Sequence, residues 1–391
     1  MSTQFLVSGM FRSGTTMLAR MLHANPNIVC ASDPFAPIFK SYRNVVSTDL
    51  NGFCDPDAPL HDYYLDRVQN ALFQEIQKRG FAQPVATDEV AVLRERIKHH
   101  CPPYSPLIVP HLAELGGETY AELFGSALDI IRKVYGKQGA KAVGFKEVWI
   151  DEFTPLFRKL NPGNKIIHLV RDPRSVVASN FASGSTYPLI FLIRQWRKIV
   201  TLAWHNADYS ADVKLVRFED LLSDPETVAK ELCEFLEVDF HENMTDPSSY
   251  TDGAGQPWRQ NTSYRKEDKP EGERRFNMTA LEKWNQVLSD DVITLIELFC
   301  NWEMALLGYE AVSDIKEARR SPEILDYEDD PTTCAEWIKP YATYNNIKEI
   351  LAELQRFALI ESQQVLSQQS KQLLTLEPGM FEVLGRQRSG V

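Results

Sequence analysis

The sequence lacks several features that would place it in a specialised class of protein. Among its 391 residues, no run approaches the ~18 uninterrupted apolar residues of a membrane helix. Its six cysteines are scattered and form no C-x-x-C pair, which suits free thiols in a reducing compartment. Positive charge is not in excess either, because 42 basic residues face 54 acidic ones and the net charge is −12. Such a chain is a poor non-specific partner for nucleic acid or anionic membranes, so an anionic ligand needs a local cluster of positive groups.

From the pattern of the first residues we expect no secretion signal. Residues 4–8 already predict a strand and Gly9 starts a turn, whereas a signal peptide needs a basic start, an apolar run of about 7–15 residues and a cleavage site. We therefore expect a cytoplasmic protein. A metal site is not expected, because the His-His-Cys segment at 99–101 and His111 fit no zinc spacing.

The sequence does have the composition of an ordinary globular protein. Hydrophobic residues make up 43% and charged residues 25%, which excludes wholesale disorder and a fibrous protein. Short apolar runs alternate with amphipathic ones, a pattern typical of α/β proteins with a parallel sheet covered by helices on both faces. The predicted strands are 4–8, 28–30, 142–145, 165–170 and 213–218. The predicted helices include 16–24, one that starts near Pro173, 225–236 and 281–307.

Two segments lie outside this alternation. Residues 41–140 are irregular and helical with proline breaks, and we interpret them as a helical insertion between core elements. Residues 311–330 are charged, and 346–374 then predict a helix with one apolar face. We expect a core domain over 1–310 and a C-terminal helical extension over 311–391. The extension either packs on the core or docks a partner, such as a second copy of the chain in a homodimer.

The first motif is a glycine loop between the first predicted strand and the first predicted helix. Residues Gly9 to Thr16 have the spacing of the nucleotide P-loop, G-x-x-x-x-G-K-[ST]. A loop that opens a helix aims free backbone N–H groups at one point, and the helix dipole adds positive character there. Thr15 stands where the P-loop lysine should be, and Arg12 supplies the charge from inside the loop. The loop is therefore badly equipped for ATP hydrolysis, but it suits a shorter group such as a phosphate that bears a sulfonate.

The second motif is an arginine that follows an apolar strand. Arg171 comes directly after the predicted strand 165–170, and the next helix carries Ser175 and Ser179 on one face. Ligands of open α/β sheets bind at the carboxyl ends of the strands, so we expect Arg171 at the same edge as the Gly9 loop. A guanidinium and a hydroxyl together suit a phosphate monoester.

The two motifs together resemble those of sulfotransferases that use 3′-phosphoadenosine-5′-phosphosulfate (PAPS). The segments that carry the resemblance are 11–16 (FRSGTT) and 170–179 (VRDPRSVVAS), and 216–221 (VRFEDL) extends it. Their layout is most similar to the protein-tyrosine and bacterial branch of that family. The resemblance covers most of 1–310 apart from the insertion. It implies a P-loop-like fold with a central parallel β-sheet, PAPS as the donor, and no metal.

The resemblance also implies which residues hold the donor. Arg171 and Ser179 would hold the 3′-phosphate, and Phe218 stands where the family often has a tyrosine. Residues 261–263 fall in a late loop that often closes over the nucleotide. The residues implied for the 5′-phosphosulfate are Arg12, Ser13, Gly14, Thr15 and Thr16.

Two further residues acquire catalytic roles by the same resemblance. Lys146, with Arg12 and the loop amides, would stabilise charge on the departing phosphate as the sulfonate passes in line to the acceptor. Asp33 would take the acceptor's proton, in a place where the protein-tyrosine branch has a glutamate. The structural alternatives are that Asp33 is a turn residue before Pro34, that Lys146 is a surface lysine, and that Arg171 pairs with Asp172 or Glu147.

The expected acceptor is a small molecule with a hydroxyl, or an amine, in a pocket that the insertion helps to build. Two other functions compete with this interpretation. A kinase that uses ATP or GTP is disfavoured by Thr15 in place of lysine. A non-catalytic relative that binds a nucleotide or a partner is disfavoured by the presence of Lys146 and Arg12.

Overall fold

Five parallel strands form the central sheet of the computed structural model, in the order β2-β3-β1-β4-β5. The structure describes residues 2–183, 187–258, 260–261, 264–265, 276, 278–318 and 346–386. Every neighbouring pair in this sheet is parallel, so the predicted α/β class is confirmed. The strands are β1 Thr3–Gly9, β2 Ile28–Ser32, β3 Ala142–Lys146, β4 Lys165–Val170 and β5 Val213–Arg217, and a separate antiparallel pair is formed by β6 Gln260–Asn261 and β7 Tyr264–Arg265.

The register of the sheet brings several strand ends to one edge. Lys146, the last residue of β3, is aligned with Val7 of β1 on one side and with Ser32 of β2 on the other. Gly9, the last residue of β1, is aligned with Leu169 of β4. Residues that follow these strands therefore gather at the carboxyl edge, where open α/β sheets bind ligands.

The interior strands are buried, as a parallel sheet with two covered faces requires. Residues 166–170 of β4 are all buried, and the one polar side chain among them, His168, has polar contacts. Its Nδ1 lies 3.1 Å from Asp151 Oδ1 and its Nε2 lies 3.4 Å from Thr154 Oγ1. A buried ring with both nitrogens in polar contact avoids most of the cost of burying a polar group.

Helices follow most of the strands. The helical insertion is confirmed, and its first helix, α2, begins earlier than predicted, at Ala36. The helices before residue 280 begin with α1 Thr15–Ala24, α2 Ala36–Asn51, α3 Arg67–Arg79, α4 Thr87–His100, α5 Tyr120–Tyr135 and α6 Thr154–Arg158, and continue with α7 Pro173–Ala182, α8 Leu189–Asp208, α9 Phe218–Ser223 and α10 Pro225–Phe235. The later helices are α11 Thr279–Glu282, α12 Trp284–Val287, α13 Asp290–Leu306, α14 Ile315–Ala318, α15 Asn346–Ser362, α16 Gln368–Thr375 and α17 Pro378–Arg386.

The contacts divide the chain into two units. The first unit contains the central sheet, and the second carries helices along its described part. The predicted division at residue 310 remains a prediction. The first unit comprises Met1–Asp62, Ala71–Val170 and Asn206–Met278, and the second comprises Tyr63–Asn70, Arg171–His205 and Thr279–Val391.

Two long helices predicted in the second unit are interrupted in the structure. The segment 281–307 was expected to be one helical stretch, but it contains parts of α11, α12 and α13. The prediction of one helix over 346–374 is also wrong, because α15 ends at Ser362. Ser367 then starts a new helix, with its hydroxyl accepting a hydrogen bond from the Ser370 N–H at 3.1 Å. A serine at this position satisfies one of the first N–H groups of a helix, which favours a new start.

A buried group of charges connects α8, α13 and α15 within the second unit. Arg197 of α8 lies 3.4 Å from Glu303 of α13 and also pairs with Glu353 of α15. Arg356 of α15 pairs with the same Glu303. All four side chains are at most 4% exposed, so each charge depends on its partners. The apolar face of α15 is buried in this unit as well, and the homodimer through this segment remains a prediction.

Candidate active site

The glycine loop lies between β1 and α1, as its sequence predicts. β1 ends at Gly9 and α1 begins at Thr15, so residues 10–14 form the turn. Gly14 precedes the helix in a left-handed conformation (φ 92°), and no side chain caps this helix end. The first N–H groups of a helix have no partner within the helix, so those of Thr15 and Thr16 are available to an anion.

Both glycines of the loop are in places where a side chain would not fit. A Cβ at Gly9 would lie 2.3 Å from the Leu169 carbonyl oxygen, and one at Gly14 would lie 2.3 Å from Cε2 of Phe218. The ring of Phe218, at the start of α9, therefore packs directly against the loop. The structure brings Phe218 to the predicted donor site, where it offers an apolar ring in place of a hydroxyl.

Two side chains of the loop carry its polar character. Ser13 is fully buried, and its Oγ has no hydrogen-bond partner in the part of the chain that the structure describes. Arg12 is half-buried with φ 69°, and its guanidinium lies 5.5 Å from the centre of the Phe11 ring. Burial lowers the pKa of Arg12. A buried hydroxyl without a partner is costly, so the loop has an unused polar group as well as its N–H groups.

Lys146 and Asp33 form a buried ion pair at the carboxyl edge of the sheet. Lys146 Nζ lies 2.5 Å from Asp33 Oδ2, and the two side chains are 3% and 11% exposed. The Asp33 N–H also donates to the Lys146 carbonyl oxygen at 2.7 Å. The structure thus brings together the two residues expected to be the base and the stabiliser of the leaving group. The alternative of a surface lysine is wrong, since Lys146 is only 2% exposed.

Glu147 organises the turn that carries Asp33, a role that the sequence did not reveal. Its carboxylate accepts a hydrogen bond from the N–H of Phe35, the residue that caps the N-terminus of α2. Burial, with the nearby charge of Asp33, raises the pKa of Glu147 well above its ordinary value. Its own N–H donates to the Val7 carbonyl oxygen at 3.0 Å, which fixes it beside β1. The adjacent Lys-Glu pair was visible in the sequence, but Phe35 as its partner was not.

The insertion reaches the site through a loop that follows α4. Ser105 is fully buried, and its hydroxyl donates to the Ser32 carbonyl oxygen at 2.8 Å and accepts from the Ser32 N–H at 3.2 Å. Ser32 directly precedes Asp33, so this pair of bonds holds the insertion against the end of β2. The close approach of Gly253 to Tyr104, where a Cβ would lie 1.7 Å from the Tyr104 carbonyl oxygen, fixes the same loop from the other side.

A cavity of about 830 Å³ opens between these elements. The insertion contributes Pro102, Pro103, Tyr104 and Pro106 to its wall, and the use of this cavity as the acceptor pocket remains a prediction. The segment 252–258 also lines it, and nothing in the sequence had indicated this. Six of the lining residues are Thr16, Arg20, Ser32, Tyr104, Asp252 and Trp258.

Arg171 and Ser179 belong to the second unit. Arg171 follows the end of β4 and is 4% exposed, and its Nη2 donates to the Ala280 carbonyl oxygen at 2.7 Å. Ser179 lies in α7 and is half-buried. Asp172 pairs with Arg174, whose Nη2 lies 2.6 Å from Asp172 Oδ2. The joint role of Arg171 and Ser179 at a 3′-phosphate remains a prediction.

Three further expectations concern the late loop, metals and membranes. Of the segment 261–263, Asn261 lies in β6, while Thr262 and Ser263 are outside the described residues. Within the described ranges, no three histidine, cysteine, aspartate or glutamate side chains come together as metal ligands. Of the helices that the structure describes, none is long and apolar enough to cross a bilayer.

The sequence matches a family model described as "Sulfotransferase family" over residues 4–242, which is more than half of the chain. The matched range includes the glycine loop, Asp33, Lys146, Arg171, Ser179 and Phe218. No curated protein matches this chain significantly.

Three solved structures are among those similar to the chain. The sulfotransferase domain from the olefin synthase of Synechococcus PCC 7002 is 16% identical with a TM-score of 0.42, and the match covers 76% of this chain and 94% of that one. The sulfotransferase domain from the curacin biosynthetic pathway is 13% identical with a TM-score of 0.44, covering 79% and 99%. The sulfotransferase from Alicyclobacillus acidocaldarius is 16% identical with a TM-score of 0.38, covering 82% and 100%.

Proposed function

Because the chain belongs to the sulfotransferase family, we propose that it transfers a sulfonate group from PAPS to a hydroxyl group of a small acceptor and releases 3′,5′-ADP. The observation that supports this most directly is the glycine loop, Gly9 to Thr16, at the same sheet edge as a buried lysine–carboxylate pair. The loop offers N–H groups and the buried hydroxyl of Ser13, and Lys146 and Asp33 lie at the same edge of the sheet. The loop lacks the lysine that a triphosphate requires.

The loop residues bind the donor in this proposal. The N–H groups of Thr15 and Thr16, the Ser13 hydroxyl and the Arg12 guanidinium hold the 5′-phosphosulfate. Gly9 and Gly14 let the loop backbone lie close to Leu169 and Phe218, because neither position has space for a Cβ. Phe218 packs against the loop and gives it an apolar wall. Arg171 and Ser179 hold the 3′-phosphate, a group that PAPS has and ATP lacks.

In this proposal Asp33 accepts the proton of the acceptor, and Lys146 stabilises the charge on the leaving group. The acceptor oxygen forms a bond to sulfur and gives its proton to the Asp33 carboxylate, while the bond between sulfur and the 5′-phosphate oxygen breaks. The negative charge that grows on this phosphate oxygen is stabilised by Lys146, with help from Arg12 and the loop amides. No step in this scheme needs a metal ion.

A small cytosolic metabolite with a free hydroxyl, or an amine, is the acceptor that we propose. The described cysteines Cys30, Cys54, Cys101, Cys233 and Cys300 are free, which supports a reducing compartment. The cavity of about 830 Å³ has the size of a small-molecule site.

Incubation with labelled PAPS and, separately, with labelled ATP tests the proposed function. We expect calorimetry to detect binding of 3′,5′-ADP, and a panel of hydroxyl compounds to release 3′,5′-ADP from PAPS. Transfer of phosphate from ATP would identify a kinase instead. No uptake of 3′,5′-ADP, or tighter binding of ATP, would refute the proposal.

A further inference from the structure

The cavity contains an arginine that the proposed reaction does not use. Arg20 lies on α1 four residues after Thr16, so both side chains fall on one face of the helix, and both line the cavity. Thr16 belongs to the donor loop, and Ser32, which also lines the cavity, directly precedes the proposed base. A ligand bound at Arg20 therefore lies one helical turn from Thr16 and shares the cavity with Ser32, the residue before the proposed base.

Arg20 is a buried cation whose charge is not balanced by a contact. It is 5% exposed, and its Nε is buried without a hydrogen-bond acceptor among the described residues. No carboxylate of the described ranges pairs with it. Burial lowers the pKa of its guanidinium, although Cys30, Tyr135, Asp252 and Asp33 act in the opposite direction. A buried guanidinium that lines a cavity and has no partner there is ready to bind an anion from outside the chain.

Asp252 lines the same cavity but forms no ion pair with Arg20, and one of its two carboxylate oxygens is engaged elsewhere. Its Oδ1 accepts hydrogen bonds from the N–H groups of Ala254 and Gln256, each at 2.9 Å. This carboxylate remains a negative charge in the cavity wall, so the space contains one cation and one anion. Because Asp252 repels negative charge, a ligand with a single negative charge is favoured at Arg20 over a doubly charged phosphate.

Part of the wall is apolar or aromatic. Tyr104 and Trp258 present rings, and prolines at 102, 103, 106 and 257 add apolar surface beside the polar side chains of Thr16, Ser32 and Gln256. An acceptor with a hydrocarbon or aromatic body therefore has surface to pack against, with its charged group at Arg20.

We propose that Arg20 binds a carboxylate of the acceptor, so that the substrates are hydroxy acids with an apolar or aromatic body. This inference rests on the proposed function and specifies its substrate class. A planar guanidinium binds a carboxylate through two parallel hydrogen bonds, which positions the acceptor as well as attracting it. Arg20 thus determines specificity, while Asp33 and Lys146 act on the reacting atoms.

Matched ligands test this inference in the 391-residue protein saturated with 3′,5′-ADP. We would measure the binding of 4-hydroxyphenylacetate and 6-hydroxyhexanoate, of their methyl esters, and of 4-hydroxybenzylphosphonate by ligand-observed NMR. At least one acid should bind about 10- to 100-fold more tightly than its ester, because a charge-assisted hydrogen bond is lost in the ester. In R20Q this preference should fall to within about twofold, and R20K should restore only part of it because lysine lacks the planar fork.

Two controls separate this inference from the proposed function. R67Q removes an exposed arginine of α3 and should leave the preference unchanged. R20Q should bind 3′,5′-ADP by calorimetry as the unmodified protein does, which also shows that it is folded. If 3′,5′-ADP binds but acids and esters bind equally, if neither binds, or if the phosphonate binds better than the acid, the inference is wrong and the proposed function stands. If 3′,5′-ADP does not bind, the proposed function itself fails.

Discussion

The buried pair of Lys146 and Asp33 determines what each residue can do on its own. At 2.5 Å the two side chains neutralise each other in a place with little solvent. Removing either one leaves the other as a buried charge without its partner, which destabilises the fold as well as the chemistry. A change at this pair therefore has to be measured for stability, ligand binding and turnover separately.

We expect Lys146→Ala to affect turnover far more than donor binding. The lysine acts mainly on charge that appears as the bond breaks, so kcat should fall about 100-fold or more. The Kd for 3′,5′-ADP should change by less than about threefold, by the same reasoning. A steady-state activity assay gives kcat, calorimetry gives the Kd for 3′,5′-ADP, and a thermal melt shows whether the variant is folded. Asp33→Asn is the matched control, because it breaks the same ion pair from the other side. Weak binding with normal turnover in Lys146→Ala would contradict the leaving-group role.

His23 at the end of α1 should make stability depend on pH. Its Nδ1 accepts a hydrogen bond from the Cys30 N–H at 3.2 Å, so the ring is neutral in this position. Burial, followed by the charges of Lys137 and Arg20, lowers the pKa of His23 to about 3. Between about pH 3 and about pH 6.5 the unfolded chain therefore binds a proton that the folded chain does not. The free energy of unfolding should fall as the pH falls below about 6.5.

The variant His23→Asn isolates this contribution, since an amide oxygen can accept the same bond without titrating. Denaturant unfolding at about pH 5 and about pH 6.5 should show a pH dependence that is flatter in the variant, by up to about 1.4 kcal/mol per pH unit. Equal slopes in the two proteins would show that His23 takes up a proton in the folded state.

The conformation of the glycine loop depends on contact between two elements, the start of α1 and the start of α9. Gly14→Ala places a Cβ against the Phe218 ring in a left-handed backbone, so we expect lost stability and at least tenfold weaker 3′,5′-ADP binding, about 1.4 kcal/mol. Gly80→Ala is the control, because Gly80 has φ 65° and an open surrounding. It should cost only the backbone strain of about 1–2 kcal/mol and leave binding unchanged. If both variants bind 3′,5′-ADP normally, the loop is not the donor site.

The connection between the insertion and β2 should control acceptor binding. Ser105→Ala removes both bonds to the Ser32 backbone, so the free energy of unfolding should fall by about 1–3 kcal/mol. The KM for the acceptor should rise, while the Kd for 3′,5′-ADP stays the same. Ser126→Ala is a matched control within the insertion, since its hydroxyl also joins two backbone groups, Gly116 N–H and Glu114 carbonyl. Equal effects of the two variants on KM would exclude a specific role for Ser105.

At the scale of the whole chain, the C-terminal helices share a core with residues that precede position 310. Glu353 and Arg356 of α15 complete the charges around Arg197 and Glu303. A chain that ends at residue 310 should therefore lose cooperative unfolding, because loss of a buried ionic partner costs about 3–5 kcal/mol. Circular dichroism melts would compare it with a chain that ends at residue 386. A cooperative melt of the shorter chain would support a domain boundary at 310.

The sequence predicted those parts of the molecule that depend on local patterns. The strands followed from short apolar runs, and the Gly9–Thr16 loop followed from its spacing between a strand and a helix. Interruptions of long helices were missed. In the sequence, one serine such as Ser367 is a weaker signal than an apolar face that continues on both sides of it. Contacts between distant segments were missed for a different reason.

Glu147 and Arg20 illustrate what no local pattern could show. Glu147 acts through the Phe35 N–H, and the distance between them depends on how β2 and β3 align. Arg20 sits between Ala19 and Met21 in a helix with a buried face, and only the walls contributed by 102–106 and 252–258 turn it into a ligand-facing group. An arginine inside an apolar stripe was the one available signal.

The ion pair at the strand edge also has a consequence for timing. While Lys146 and Asp33 form their ion pair, the lysine does not contact a leaving group and the aspartate does not accept a proton from an acceptor. A water molecule that enters alone therefore meets a carboxylate already occupied by its own counter-ion. If the two residues have the proposed roles, separating the two charges becomes favourable only when donor and acceptor are both in place, and we then expect PAPS to be hydrolysed slowly in the absence of an acceptor.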